Sequence, residues 1–78
     1  MSFIMDNASK GALATSIYKA AYNTNMDLNN QFGEDILYLI GAILTDGTVI
    51  LRDESSEFVK QLDNEAQEML SPYIKEME

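Results

Sequence analysis

The chain has 78 residues with no Cys, no His and no Trp, and thirteen acids against five bases give a net charge of −8. These counts exclude disulfide staples, thiolate or imidazole metal ligands, and every nucleophilic triad that needs His or Cys. An apolar fraction of 46% with 23% charged residues fits one small globular domain, of a size that buries only roughly 60% of its unfolded surface and often gains the remainder by oligomerising.

The acidity is uneven. Residues 1–26 carry Asp6, Lys10 and Lys19, for +1, whereas residues 27–78 carry twelve acids against Arg52, Lys60 and Lys75, for −9. Such a surface repels nucleic acid and anionic membranes and favours basic partners. Met1-Ser2-Phe3-Ile4-Met5 is too short for a signal peptide, and no run approaches the roughly 18–20 apolar residues of a membrane span. A cytoplasmic protein is the expectation.

Residues 2–5 read as an edge strand or a hydrophobic tail. Asp6-Asn7 then offers N-cap oxygens to a helix from Ala8 to about Tyr22. Leu13, Ile17, Ala20 and Ala21 share one face at steps of three and four, with Ala14, Tyr18 and Tyr22 beside them. Asn23, Thr24, Asn25, Asp27, Asn29 and Asn30 compete with helical backbone hydrogen bonds and make a loop to about residue 33.

The block Ile36-Leu37-Tyr38-Leu39-Ile40-Gly41-Ala42-Ile43-Leu44 is the one long apolar stretch, followed by Thr45-Asp46-Gly47-Thr48 and Val49-Ile50-Leu51. As a helix, Asp35 would cap it and Gly47 would lie just past its end. As an antiparallel β-hairpin, Asp46-Gly47 is the favoured two-residue turn, setting Leu44 opposite Val49 and Ile43 opposite Ile50. The hairpin is the expectation, because Asp-Gly stands between apolar arms and Val49-Ile50 are β-branched. Both faces of that ribbon are apolar, so either the two helices cover opposite faces or the ribbon meets a copy of itself, and only two helices are at hand. A homodimer is therefore expected, meeting through Leu37, Leu39, Ile43 and Ile50.

Asp53-Glu54-Ser55-Ser56-Glu57 reads as a turn into a last helix, with Ser55 or Ser56 as N-cap and acids at the positive end of its dipole. Phe58, Leu62, Ala66, Met69 and Tyr73 form its apolar stripe, opposite Lys60, Gln61, Asp63, Asn64, Glu65, Gln67 and Glu68. Ser71-Pro72 breaks it, so that Tyr73 to Met77 is expected as a separate final turn. The expected fold is thus α+β: an N-terminal helix, a central antiparallel hairpin and a C-terminal acidic helix, in one domain over residues 1–78.

Leu39-Ile40-Gly41-Ala42-Ile43-Leu44-Thr45-Asp46-Gly47 resembles the signature helix of LAGLIDADG homing endonucleases, with Leu39, Gly41, Ile43, Asp46 and Gly47 in register. The resemblance implies a helix packed against its twin, with Asp46 as the acid that holds a catalytic divalent metal. It covers only this short stretch. About thirty residues follow it, too few for that family's saddle of strands and helices. Cleavage of DNA also needs phosphate contacts from Lys and Arg, and residues 27–78 hold three such residues. The resemblance therefore carries no further than a truncated relic.

No catalytic residue, cofactor or metal site is read from the chain. Asp53, Glu54 and Glu57 cluster at a helix start, where capping and dipole complementation account for them, and they lack the spacing of a calcium loop. The functional expectation is a non-enzymatic acidic interaction protein of the kind phages and mobile elements encode. It would inhibit a basic, nucleic-acid-associated host protein by DNA mimicry through Asp53, Glu54, Glu57, Asp63, Glu65 and Glu68, without binding nucleic acid or membrane itself. The alternatives are the LAGLIDADG-like relic and a plain dimeric regulatory module using apolar surface.

Overall fold

The computed structural model describes residues 5–24 and 29–77. The reading of residues 2–4 as strand or tail and the middle of the Asn-rich loop lie outside the described residues. Asp6 opens helix α1, Asn7–Tyr22, where its Oδ1 accepts from the Ser9 N–H at 2.7 Å. The buried face of α1 is Leu13, Ala14, Ile17 and Ala21, together with the stem of Lys10; Tyr18 and Tyr22 stand outside it. A second helix, α2, spans Gln31–Thr45 and begins at Asn30, whose Oδ1 accepts from the Phe32 N–H at 3.2 Å.

The central block is therefore helix, and the antiparallel hairpin is not formed. Phe32, Ile36, Leu39 and Ile43 repeat at steps of three and four and are all buried, which is the helical period. At Asp46-Gly47, a type I′ hairpin turn would need positive φ at both residues. Only Asp46 has it (φ 58°, ψ 31°), so the dipeptide acts as a helix stop. The Gly47 N–H reaches back to the Ala42 carbonyl at 2.9 Å, the long closing bond of a Schellman-type end. Asp-Gly serves both turn types, and the run before it was long enough to make a helix.

Strand β1, Val49–Leu51, finds its partner far along the chain in β2, Ile74–Met77, and the pairing is parallel. Val49 pairs with Ile74, Ile50 with Glu76 and Leu51 with Met77, so Lys75 is the extra residue at an irregularity in the ladder. Parallel strands need a long crossover, and the segment between them supplies it. That segment holds α3 (Asp53–Lys60), α4 (Asn64–Leu70) and a 3-10 turn at Ser71–Tyr73. The expected single acidic helix is thus two, and the expected final helical turn is a strand.

The break has a local cause. The Asp63 Oδ1 caps α4 by accepting from Ala66 N–H at 2.8 Å, while Gln67 Nε2 donates to the carbonyls of Lys60 (3.2 Å) and Leu62 (2.7 Å). Helix α3 also starts earlier than expected. Arg52 holds the N-cap position, and Ser55 and Ser56 are fully buried inside the first turns. Ser55 Oγ accepts from the Arg52 N–H at 3.1 Å and lies 2.6 Å from Asp35 Oδ2. Its one hydroxyl proton is best used on that carboxylate, since the bond is charge-assisted. This buried Asp35–Ser55 bond ties α3 to α2.

The core joins all four helices and both ends of the crossover: Met5, Leu13, Ile17, Phe32, Ile36, Leu39, Ile43, Leu51, Phe58, Val59, Leu70 and Tyr73 belong to it. Phe32 and Phe58 meet edge to face, with centroids 5.6 Å apart at 79°, an arrangement worth about 0.5–1.5 kcal/mol beyond the area it buries. The molecule is a small, mostly helical α+β domain with a two-stranded sheet. Among the described residues no helix is long and apolar enough to cross a membrane.

Candidate functional site

All six carboxylates singled out from the sequence are exposed. They do not form one array. Asp53 and Glu54 occupy the first turn of α3, where carboxylates favour the positive end of the helix dipole. Both line a shallow pocket of about 270 Å³ with Asn30, Gln31, Phe32 and Arg52. Asp63 and Glu65 lie at the start of α4 and edge a different groove, of about 390 Å³, against Ser9, Ala12, Leu13 and Ser16 of α1. Glu57 and Glu68 belong to neither pocket.

Their hydrogen bonding divides them further. Asp63 is committed as the cap of α4. Among the described residues, the carboxylates of Glu54, Glu57, Glu65 and Glu68 have no hydrogen bond or ion pair. Asp53 has φ 50°, a left-handed conformation that a non-glycine residue holds at a cost of about 1–2 kcal/mol. Unpaired, solvated carboxylates are free to meet a cation from outside without first breaking an internal bond.

Asp46 has a different fate. The helix expected from the LAGLIDADG resemblance is present and ends at this residue. Its Oδ2, however, accepts from Lys10 Nζ at 2.7 Å. Among the described residues there is no group of three or more acidic side chains placed to share a metal ion. The arrangement at Asp46 is an ion pair between α1 and α2.

The four residues expected at a dimer interface also separate. Leu39 and Ile43 are fully buried within the chain's own core, whereas Leu37 and Ile50 are exposed. Leu37 and Ile50 line an open groove of about 780 Å³ between α2 and β1, together with Tyr38, Gly41, Val49 and Lys75. Gly41 and Lys75 were missed as candidates. With α2 taken as a helix, Leu37, Gly41 and Leu44 are a second stripe at steps of four and three, left over once Phe32, Ile36, Leu39 and Ile43 are assigned to the core.

Asp35 and Arg52 also border this groove. The Asp35 carboxylate is buried, and Arg52 Nη2 donates to its Oδ1 at a long 3.5 Å. With its amide oxygen turned toward the guanidinium, Gln31 accepts from Arg52 Nε at 3.1 Å and Nη2 at 3.3 Å. These groups fasten α2 to the start of α3. No family model, curated protein or solved structure matches the chain.

Proposed function

We propose that the chain is a non-enzymatic interaction protein that binds a basic, nucleic-acid-associated partner through the carboxylates of α3 and α4. The observation that carries this reading is the set Glu54, Glu57, Glu65 and Glu68, exposed and without ion pairs among the described residues, in a chain of net charge −8. A partner that offers Lys and Arg to phosphate can offer them to these groups instead, and inhibition follows from occupying that surface. The mode is DNA-mimic-like, as in small inhibitors of phage or mobile-element type.

Capture from a host lysate on immobilised protein, with elution by salt, tests the reading. Replacing Glu57, Glu65 and Glu68 with Gln leaves the fold intact and reduces capture of the basic partner. Equal capture by the Gln variant at every salt concentration counts against it.

A second reading has its own observation. The exposed apolar side chains Leu37, Tyr38, Leu44 and Ile50 favour a regulatory module that uses apolar surface, whose binding would be insensitive to salt. The relic reading retains the helix ending at Asp46, but its metal ligand is engaged by Lys10.

A further inference from the structure

The chain has five bases, and two of them meet at one groove. Lys10 is engaged by Asp46, while Lys19 and Lys60 stand on α1 and α3. Arg52 and Lys75 both line the open groove of about 780 Å³ between α2 and β1. Leu37, Tyr38, Val49 and Ile50 give that groove apolar walls, and Gly41 gives it bare backbone. A Cβ built at Gly41 meets nothing within 4 Å. The fold itself therefore has no steric need for the glycine, and its missing side chain keeps the space open.

The charges at the groove set it apart from the rest of the surface. Asp35 is the acid in its lining, and it lies beneath the groove, with a side chain only 2% exposed. Both of its oxygens are occupied, Oδ2 by Ser55 at 2.6 Å and Oδ1 by the long contact from Arg52. Arg52 is half-exposed, and its Nη1 has no hydrogen bond among the described residues. Lys75 is exposed and has no hydrogen bond or ion pair among them. It is the extra residue at the irregularity of the β1–β2 ladder, a device that re-aims a side chain. Two cations against one internally satisfied carboxylate leave this lining with one net positive charge, in a chain at −8. None of the exposed acids Glu54, Glu57, Glu65 and Glu68 lines the groove.

Mostly apolar walls with a few polar groups, in a volume of roughly 300–1,000 Å³, are the make-up of a small-molecule site. We propose that the groove binds a small amphipathic monoanion, a hydrocarbon body with one carboxylate head. The body lies along Leu37, Gly41 and Ile50, and the head takes charge-assisted hydrogen bonds from Lys75 and from the free side of the Arg52 guanidinium. A cation of the same shape is repelled here and drawn instead to the acids of α3 and α4. The inference uses a different face from the acidic-surface reading and does not rest on it.

Titration of the full chain with decanoate, kept below its micelle concentration and followed by amide NMR, tests it. The amides of Leu37, Gly41, Ile50 and Lys75 should shift together and saturate with a dissociation constant of about 1 mM or tighter. Decyltrimethylammonium, with the same chain and the opposite head, should leave those amides in place. Lys75→Glu reverses the charge at the head, and Gly41→Gln fills the floor where the fold has room. Each should weaken decanoate binding about fivefold or more, with an unchanged far-UV circular dichroism spectrum. The proposal is overturned by an absence of shifts, by shifts centred outside the groove, by an equal response to the two amphiphiles, or by unchanged binding in either variant.

Discussion

Lys10 Nζ lies 2.7 Å from Asp46 Oδ2, joining the first turn of α1 to the last residue of the α2 cap across thirty-six positions of sequence. The two ends of the pair live in different surroundings: the Lys10 side chain is 9% exposed and that of Asp46 is 60% exposed. Solvent around Asp46 screens the attraction, so the pair is worth about 1 kcal/mol or less. Asp46→Asn keeps a residue that tolerates the left-handed conformation and removes only the charge. Urea denaturation should show a loss within that amount, and a loss above about 3 kcal/mol would mean that the pair behaves as a buried one.

Leu37 and Leu39 test the architecture directly. In a strand they share a face, and in α2 they point to opposite sides, Leu39 into the core and Leu37 into solvent. Leu39→Ala should therefore cost about 2–5 kcal/mol, while Leu37→Ala should change folding stability by roughly 0.5 kcal/mol or less, measured on monomer at high dilution. Similar costs at the two positions would contradict the helix.

The contrast shows what was readable from the residues. Helix α1 was legible because Asp6, Leu13, Ile17 and Ala21 state cap and period together. Helix α2 was not, because Asp46-Gly47 is both a hairpin turn and a helix stop, and a nine-residue apolar block satisfies either period. The partner of β1 was hidden for a different reason. Its strand lies beyond a crossover of two short helices, and no local pattern announces a pairing of Val49 with Ile74. The break between α3 and α4 was within reach, since Asp63 three residues before Ala66 is an N-cap signal inside an otherwise continuous stripe. Of the candidate site, the solvent-facing side of the acidic segment was legible, and the placing of Asp53 and Glu54 in one groove and of Asp63 and Glu65 in another was not, because it depends on how α3 and α4 turn at Gln61–Asp63.

The Asp35–Ser55 bond makes a third prediction. Ser55→Ala leaves a buried carboxylate with only the long contact from Arg52. A hydrogen bond to a charged group typically contributes about 1.5–3 kcal/mol, and thermal or urea unfolding should show a loss of that order. A change near zero would mean that water or Arg52 takes over the serine's role.

Asp6 gives the chain one acid-sensitive element with a known sign. The Ser9 backbone N–H, with help from the Ser9 hydroxyl, holds the Asp6 carboxyl below its usual value of 3.8. A carboxyl whose folded value is depressed contributes stability that is present above the unfolded value and is lost as pH falls through the folded one. NMR titration of Asp6 should give a midpoint below 3.8, and in Asp6→Asn this contribution to the acid limb should disappear. A midpoint at or above 3.8 would remove the cap bond from the account.

The proposed use of α3 and α4 rests on charge, so its most direct measurement is the salt dependence of affinity for the captured partner. Association of the native chain should weaken steeply as salt rises, and the variant with Glu57, Glu65 and Glu68 all changed to Gln should bind less tightly at low salt with a shallower dependence. Coincident affinities for the two proteins, unchanged across the salt range, would contradict an acidic binding surface and leave the apolar α2–β1 face as the side that works.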